Sequence, residues 1–148
     1  MMNLNNLAVV QSGVACAPTN QGVAIRCAPL MWNGLRFATE SERQVAKALD
    51  DAGVFFAPLP LIRATGESGV RVTQEIDFLI IQDGIAGVLQ LDGFPHNGRA
   101  ADDHRRDRAL KRAGLWVIER VNSVEALRDP QSIVRHFRGM IRHYRRTA

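Results

Sequence analysis

Apolar residues recur at helical spacing in two segments of the chain. The first segment begins with Thr39-Glu40-Ser41-Glu42, the pattern of a capping box, and its apolar positions continue until Gly53. The last segment, 132–146, has one apolar face and carries arginines largely off that face. A third segment, 101–113, is highly charged and is followed by a glycine. We therefore predict three helices.

Strand-forming residues fill the intervals between these helices. Short apolar runs at 54–56 and 61–62 are separated by prolines, and longer runs span 73–81, 85–91 and 115–121. Helices and strands thus alternate along the chain after residue 38, which predicts a single domain of the α/β or α+β class.

The dipeptide Asp83-Gly84 joins two predicted strands and is a strong hairpin signal. With these residues as the loop, Asp77 lies opposite Gln90 and Glu75 lies opposite Asp92, and opposed residues point to one face of the sheet. The four side chains then form a polar patch, whereas a register shift of one residue would separate them. The other face holds apolar residues that suit a core: Ile76, Phe78, Ile80, Leu89 and Leu91.

The polar patch is a candidate site for a divalent cation. Glu75 opposite Asp92 is a pair of like charges, which destabilises a sheet. A cation would relieve that repulsion, and carboxylate and amide oxygens suit Mg²⁺ or Mn²⁺. Ordinary polar alternation on a solvent-facing sheet gives the same pattern, so both interpretations stay open here.

Length and composition bound the class of protein. A chain of 148 residues that is 46% hydrophobic is expected to form one packed domain. Residues 1–35 are predicted to form an irregular or β-like arm, and residues 36–148 are predicted to form the domain itself. No apolar run approaches the roughly 20 residues of a membrane span, and no basic residue precedes Arg26 as a signal peptide requires. We expect a cytoplasmic protein with no membrane partner, and we expect Cys16 and Cys27 to be free or buried thiols rather than zinc ligands.

The net charge of +4 hides an asymmetry along the chain. Residues 1–98 carry a net charge of −3, and residues 99–148 carry +7. Arginine supplies 17 of the 19 basic residues and suits phosphate contacts, although a GC-rich genome produces the same excess. The chain has no glycine-rich phosphate loop and no Gly-x-Ser-x-Gly motif, which argues against a small-molecule enzyme. Nucleic acid is the partner that the charge favours.

Five short motifs stand in the order found in one group of nucleases. They are Glu42-Arg43, Ile76-Asp77-Phe78, Val88-Leu89-Gln90-Leu91-Asp92-Gly93 with His96, Asp103 to Arg108 with Leu110, and Gly114 with Val117-Ile118. From about Trp32 to about His143 the chain resembles the PD-(D/E)xK nuclease superfamily, in a bacterial branch related to the very-short-patch-repair endonucleases. The resemblance implies a restriction-endonuclease-like core, in which helices flank a short mixed β-sheet.

The resemblance also implies an activity and a set of site residues. It implies hydrolysis of phosphodiester bonds in DNA with Mg²⁺ or Mn²⁺, leaves RNA open as a substrate, and makes a homodimer plausible. Glu42, Asp77, Gln90 and Asp92 are the implied catalytic residues, and Glu42, Asp77 and Gln90 are the implied metal ligands. For Glu42, helix capping is a sufficient alternative explanation. Contacts with nucleic acid are expected from residues that follow the site: His96, Arg99, Arg105 and Arg106.

Gln90 departs from the pattern of this branch, which usually has glutamate there. An amide offers a carbonyl oxygen to a cation but no negative charge, so it weakens attraction for a divalent ion. Glu75 is a neighbouring source of the missing charge. The alternative is a catalytically degenerate domain that binds nucleic acid, or a protein partner through residues 1–35, without cleaving.

Overall fold

The computed structural model describes residues 16–23, 26–93 and 100–148. Within those residues the chain forms eight strands and four helices. In chain order they are β1 (Leu30–Trp32), β2 (Leu35–Phe37), α1 (Glu40–Asp51), β3 (Phe55–Pro58), β4 (Leu61–Thr65), β5 (Arg71–Glu75), β6 (Phe78–Gln82), β7 (Ile85–Asp92), α2 (Ala100–Arg112), β8 (Val117–Asn122), α3 (Ser123–Arg128) and α4 (Pro130–Thr147).

A mixed sheet of four strands, in the order β3-β6-β7-β8, forms the centre of the fold. β3, β6 and β7 are antiparallel, and β8 is parallel to β7 because α2 crosses between them. One face packs against α1, α3 and α4 around Phe78, Leu89 and Phe137. The other face is covered by α2, whose Leu110 meets Val88. This arrangement confirms the predicted mixed α/β fold with helices flanking the sheet.

Helix ends agree with the sequence where capping residues mark them. Thr39 caps α1, and its partner Glu42 completes the capping box. α4 begins two residues earlier than predicted, because Pro130 occupies its first turn and the Asp129 side chain caps it. The short helix α3, capped by Asn122, was not predicted because it has too few residues to show a period.

The β6–β7 hairpin has the predicted register. Asp83 and Gly84 both have positive φ, 53° and 78°, as a two-residue hairpin loop requires. Gln82 therefore pairs with Ile85, and Phe78 pairs with Leu89. A second hairpin, β1–β2, turns at Asn33-Gly34 in the same way and was missed, although Asn-Gly carries the same signal. This second hairpin spans the boundary expected at residues 35 and 36.

The predicted strand 73–81 is wrong, because it is two strands in two sheets. β5 ends at Glu75 and pairs with β4, whereas β6 begins at Phe78. Residues between them are held by the segment that follows β3: the Leu59 N–H donates to the Asp77 carbonyl at 2.9 Å, and the Ile76 N–H donates to the Pro60 carbonyl at 3.2 Å. The expected pairing of Glu75 with Asp92 is therefore also wrong.

The same break moves Ile76 to the other side of the sheet. It was expected to share a core face with Phe78 and Leu89, but it packs with Val88 and Leu110 under α2. Asp92 pairs with Asn122 of β8 instead of with β5.

Membrane-crossing helices are absent from the part of the chain that the structure describes, since no helix there is both long and apolar enough.

Candidate functional site

Asp77 lies just before β6 and is almost completely buried. Its Oδ2 accepts a hydrogen bond from the Leu91 N–H at 2.7 Å, and its own N–H donates to the Gln90 Oε1 at 3.2 Å. The hairpin register thus brings Asp77 and Gln90 together as predicted. The bond from Leu91 fixes the Asp77 carboxylate against β7 through Oδ2, and the bond to Gln90 fixes the Asp77 backbone.

Glu42 reaches the same point from α1 and is also buried. Its Oε2 closes the capping box by accepting from the N–H groups of Ala38 at 2.8 Å and Thr39 at 3.4 Å. Its Oε1 points the other way and lies 3.2 Å from a guanidinium nitrogen of Arg26. One carboxylate oxygen of Glu42 therefore serves the capping box, and the other binds Arg26 at the site.

Glu75, the last residue of β5, is the third carboxylate at this point. Its side chain is only 7% exposed, and its Oε1 is bound by the Arg26 Nε. Its Oε2 is buried and has no hydrogen-bond partner among the described residues. We call Glu42, Glu75 and Asp77 the acidic cluster. They come from a helix, the small β4–β5 sheet and the entry to the central sheet.

Arg26 occupies the centre of the acidic cluster. Its NH1 meets Glu42, its Nε meets Glu75, and its NH2 donates to the Asp77 Oδ1 at 2.7 Å. Each nitrogen thus serves a different carboxylate. Sequence reasoning missed this residue, because Arg26 lies in an arm without periodicity; its only signal is that it is the first basic residue of the chain.

The arm that carries Arg26 is fastened to the domain at several points. Cys16 and Cys27 form a disulfide with a Cα–Cα distance of 5.1 Å, so the expectation of free thiols is wrong. Both residues lie in the arm that was predicted to be irregular, where no strand register indicates which residues meet. The Asn20 side chain donates to the carbonyls of Arg36 and Pro58, and accepts from the Arg36 N–H at 2.7 Å.

Asp92 faces a different partner from the one that was expected. Its Oδ1 lies 3.2 Å from the Arg120 NH1, and Arg120 also binds Asp107 through two hydrogen bonds. Asp103 lies 3.8 Å from the same guanidinium. Arg120, a second residue that sequence reasoning missed, therefore joins the end of β7 to α2. Asp92 is half exposed and remains outside the acidic cluster.

Two of the four predicted nucleic-acid contacts can be placed. Arg105 and Arg106 line a cleft of about 500 Å³ between α2 and the β4–β5 hairpin, together with Thr73 and Gln74. Arg105 pairs with Asp102 at the surface. His96 and Arg99 lie outside the described residues.

Burial and charge act against each other in the acidic cluster. Burial raises the pKa values of Glu42, Glu75 and Asp77 above their ordinary values, and Arg26 opposes the rise in each case. Burial acts to lower the pKa of Arg26, but the three carboxylates outweigh it, so the pKa is raised. The guanidinium therefore stays charged, and the three carboxylates share it as their common partner.

The chemistry of these side chains fits a hard cation, but the carboxylates already bind Arg26. Carboxylate oxygens are the ligands that Mg²⁺ and Mn²⁺ prefer, and the orphan Glu75 Oε2 is an additional acceptor. As they stand, however, no three His, Cys, Asp or Glu side chains of the described residues are grouped to hold a metal ion. The carboxylates surround Arg26 instead, and the Gln90 oxygen accepts from the backbone.

Comparisons with known proteins add little to this description. No protein-family model and no curated protein matches the chain. One matching solved structure is titled "Crystal Structure of Protein of Unknown Function AF1548", at 15% sequence identity and a TM-score of 0.38. The match covers 57% of this chain, and the chain spans about half of that structure, 51%. At this TM-score the similarity supports no statement about function.

Proposed function

We propose that the protein hydrolyses phosphodiester bonds of DNA with a divalent cation bound at the acidic cluster. The observation that carries the proposal is the convergence of three buried carboxylates, from α1, the end of β5 and the residue before β6, on one cation, Arg26. Three desolvated carboxylates at one point cost stability unless positive charge compensates them. Such a cluster is typical of a site selected for binding a cation.

The chain would hold its ligands in fixed positions for this chemistry. Asp77 is oriented by the Leu91 N–H, and Glu42 is oriented by the N–H groups of Ala38 and Thr39 just before α1. Mg²⁺ or Mn²⁺, when bound by Glu42, Glu75 and Asp77, would supply Lewis-acid polarisation of a phosphoryl oxygen and a water of lowered pKa. Arg105 and Arg106 would hold flanking phosphates of the DNA. The restriction-endonuclease-like core and a homodimer belong to the same proposal.

A second candidate is a degenerate domain that binds nucleic acid without cleaving it. Two observations favour it: Arg26 compensates the acidic cluster without a metal, and Gln90 uses its oxygen to accept from the Asp77 N–H. On this hypothesis Arg26 is a permanent structural replacement for the cation.

Cleavage of supercoiled plasmid and of single-stranded DNA, with Mg²⁺ or Mn²⁺, separates the two candidates. We expect metal-dependent nicking that Asp77→Asn abolishes, with single-stranded RNA as a parallel substrate. Gln90→Glu keeps the acceptor for the Asp77 N–H and adds a charge, so it should increase activity. If wild type is inactive in both metals and Gln90→Glu is active, the native site is degenerate. If both are inactive under oxidising and reducing conditions, the nuclease proposal fails.

A further inference from the structure

Arg26 fills the place that a cation would need. All three of its nitrogens point to different carboxylates, so the planar guanidinium lies between them. A divalent ion bound by the same oxygens would lie next to a full positive charge, at a distance where repulsion is strong. Binding of the ion and binding of Arg26 to the acidic cluster are therefore mutually exclusive.

The disulfide lies directly beside this arginine in the chain. Cys27 follows Arg26, is exposed to solvent, and is bonded to Cys16. On the Cys16 side, the Ala17 carbonyl accepts from the Ala28 N–H at 3.1 Å, and Asn20 is bound to the backbone of Arg36 and Pro58. The covalent bond thus ties Arg26 to a segment that is itself anchored on the domain.

We propose that Arg26 and the Cys16–Cys27 disulfide form a redox-controlled autoinhibitory contact, in which reduction of the disulfide releases Arg26 and opens the acidic cluster to a divalent cation. The proposal rests on the proposed function for its consequence in catalysis. It does not depend on catalysis for its test, because occupancy of the cluster and release of the arm can each be measured directly.

Release requires a dithiol reductant, and the exposed Cys27 makes the bond accessible to one. A thiolate of the dithiol attacks one sulfur, the S–S bond breaks, and a mixed disulfide forms. The second thiolate of the dithiol attacks that mixed disulfide. Cys16 and Cys27 leave as two thiols after taking up two protons, and the dithiol, which has given two electrons, becomes a cyclic disulfide.

The disulfide controls occupancy through the effective concentration of Arg26 at the acidic cluster. Closing the loop between Cys16 and Cys27 removes conformations in which Arg26 is away from the carboxylates. Opening the loop restores those conformations, while the ion pairs themselves are unchanged. A divalent cation then competes with a less constrained side chain, so its apparent affinity rises on reduction.

The proposal is tested by measuring Mn²⁺ binding to the full chain. Loss of the electron paramagnetic resonance signal of the free ion reports the bound fraction. Oxidised wild type should bind weakly, and dithiothreitol-reduced wild type should bind at least about tenfold more tightly, the scale on which closure of a short loop acts. Cys16→Ser/Cys27→Ser should bind like reduced protein. Arg26→Gln should bind tightly in either redox state. Arg146→Gln removes the same charge at the end of α4 and should keep the redox dependence.

Trypsin provides a readout that needs no metal. Cleavage after Arg26 requires that its side chain leave the acidic cluster, whereas cleavage after Arg71, at the exposed start of β5, does not. Mass spectrometry should show faster cleavage after Arg26 on reduction, with cleavage after Arg71 unchanged. Equal rates after Arg26 in the two redox states would overturn the proposal. If circular dichroism shows that Arg26→Gln does not fold, the Cys16→Ser/Cys27→Ser variant and the trypsin assay test the proposal instead.

The outcomes separate this inference from the proposed function. Tighter Mn²⁺ binding on reduction without any DNA cleavage leaves the autoinhibitory contact in place and removes the nuclease. Cleavage that is equally fast in oxidised and reduced protein keeps the nuclease and removes the contact. Mn²⁺ binding to oxidised wild type as tight as to Arg26→Gln also overturns the contact.

Discussion

At the scale of single residues, Glu75 illustrates how burial and pairing compete within the acidic cluster. Burial raises its folded-state pKa above the unfolded-state value of about 4.5, in spite of Arg26. As the pH falls, Glu75 is therefore protonated at a higher pH in the folded protein than in the unfolded protein. The stability that Glu75 contributes is fully present below about pH 4.5 and is lost as the pH rises through the raised folded-state pKa.

The expected result is a pH-dependent difference between wild type and Glu75→Gln. Urea unfolding at pH 5, 6, 7 and 8 should show wild type gaining free energy of unfolding relative to the variant as the pH is lowered. Glu67→Gln is the control, because Arg108 lowers the pKa of Glu67 and its titration lies below this range. A difference for Glu75→Gln that is flat from pH 8 to 5 would contradict dominance by burial.

Residue contacts could be predicted where local geometry determines them. The two-residue loop at Asp83-Gly84 fixes the β6–β7 register, and Asp77 meets Gln90 as expected. Glu75 lies beside Asp77 as expected, but its partner was predicted wrongly, because β5 belongs to a separate sheet and the backbone after it binds Leu59 and Pro60. Arg26 could not be predicted, since its contacts with the acidic cluster join residues 16, 49 and 51 positions apart along the chain.

At the scale of elements, the first turn of α1 links helix stability to the site. Thr39→Ala removes the hydroxyl that accepts from the Glu42 N–H at 3.2 Å and should cost about 1 kcal/mol of stability. The Glu42 carboxylate stays bound to the Ala38 N–H at 2.8 Å, so Mn²⁺ affinity in an Arg26→Gln background should change little. Glu42→Gln in that background should lose Mn²⁺ affinity. Urea unfolding and Mn²⁺ titration measure the two effects separately; loss of affinity in Thr39→Ala would show that they are inseparable.

Packing of α4 on the central sheet depends on a glycine in β7. A Cβ at Gly87 would lie 2.8 Å from the Phe137 Cζ and 3.0 Å from the Val117 carbonyl oxygen. Phe137 is fully buried and cannot move aside freely. Gly87→Ala should therefore lower the free energy of unfolding by about 1–3 kcal/mol.

Gly139, on α4, is the matched control for this substitution. A Cβ there meets nothing within 4 Å, so Gly139→Ala should raise stability by about 0.5–1 kcal/mol through helix propensity. Chemical denaturation of both variants measures the difference. Equal effects at the two positions would mean that helix and sheet separate easily enough to accept the added methyl.

At the scale of the whole molecule, the basic residues of the last third divide between the two faces of the sheet. Arg120, which pairs with Gln90 between β8 and β7, joins α2 to the end of β7. α4 instead contacts the β6–β7 turn, where Arg138 donates to Gln82 and Arg145 lies 3.9 Å from Asp83. That turn is the opposite end of β6 from Asp77, roughly 17–20 Å away. The charge of +7 in residues 99–148 is therefore not one surface: among the described residues, Arg120 and the arginines of α2 lie near the site, and those that α4 places at the β6–β7 turn do not.

DNA binding should accordingly depend on α2 more than on α4. Arg105→Gln/Arg106→Gln removes two charges from the cleft beside β5 and should weaken binding of a labelled single-stranded oligonucleotide. It should also reduce the slope of log affinity against log salt by about 1.4, which is about 0.7 for each phosphate of a single strand that the variant no longer neutralises. Arg142→Gln/Arg146→Gln removes the same charge from α4 and should leave the slope nearly unchanged. Fluorescence anisotropy at several salt concentrations measures both. If the α4 pair lowers the slope and the α2 pair does not, the nucleic acid follows α4, and the acidic cluster then lies too far away to act on it.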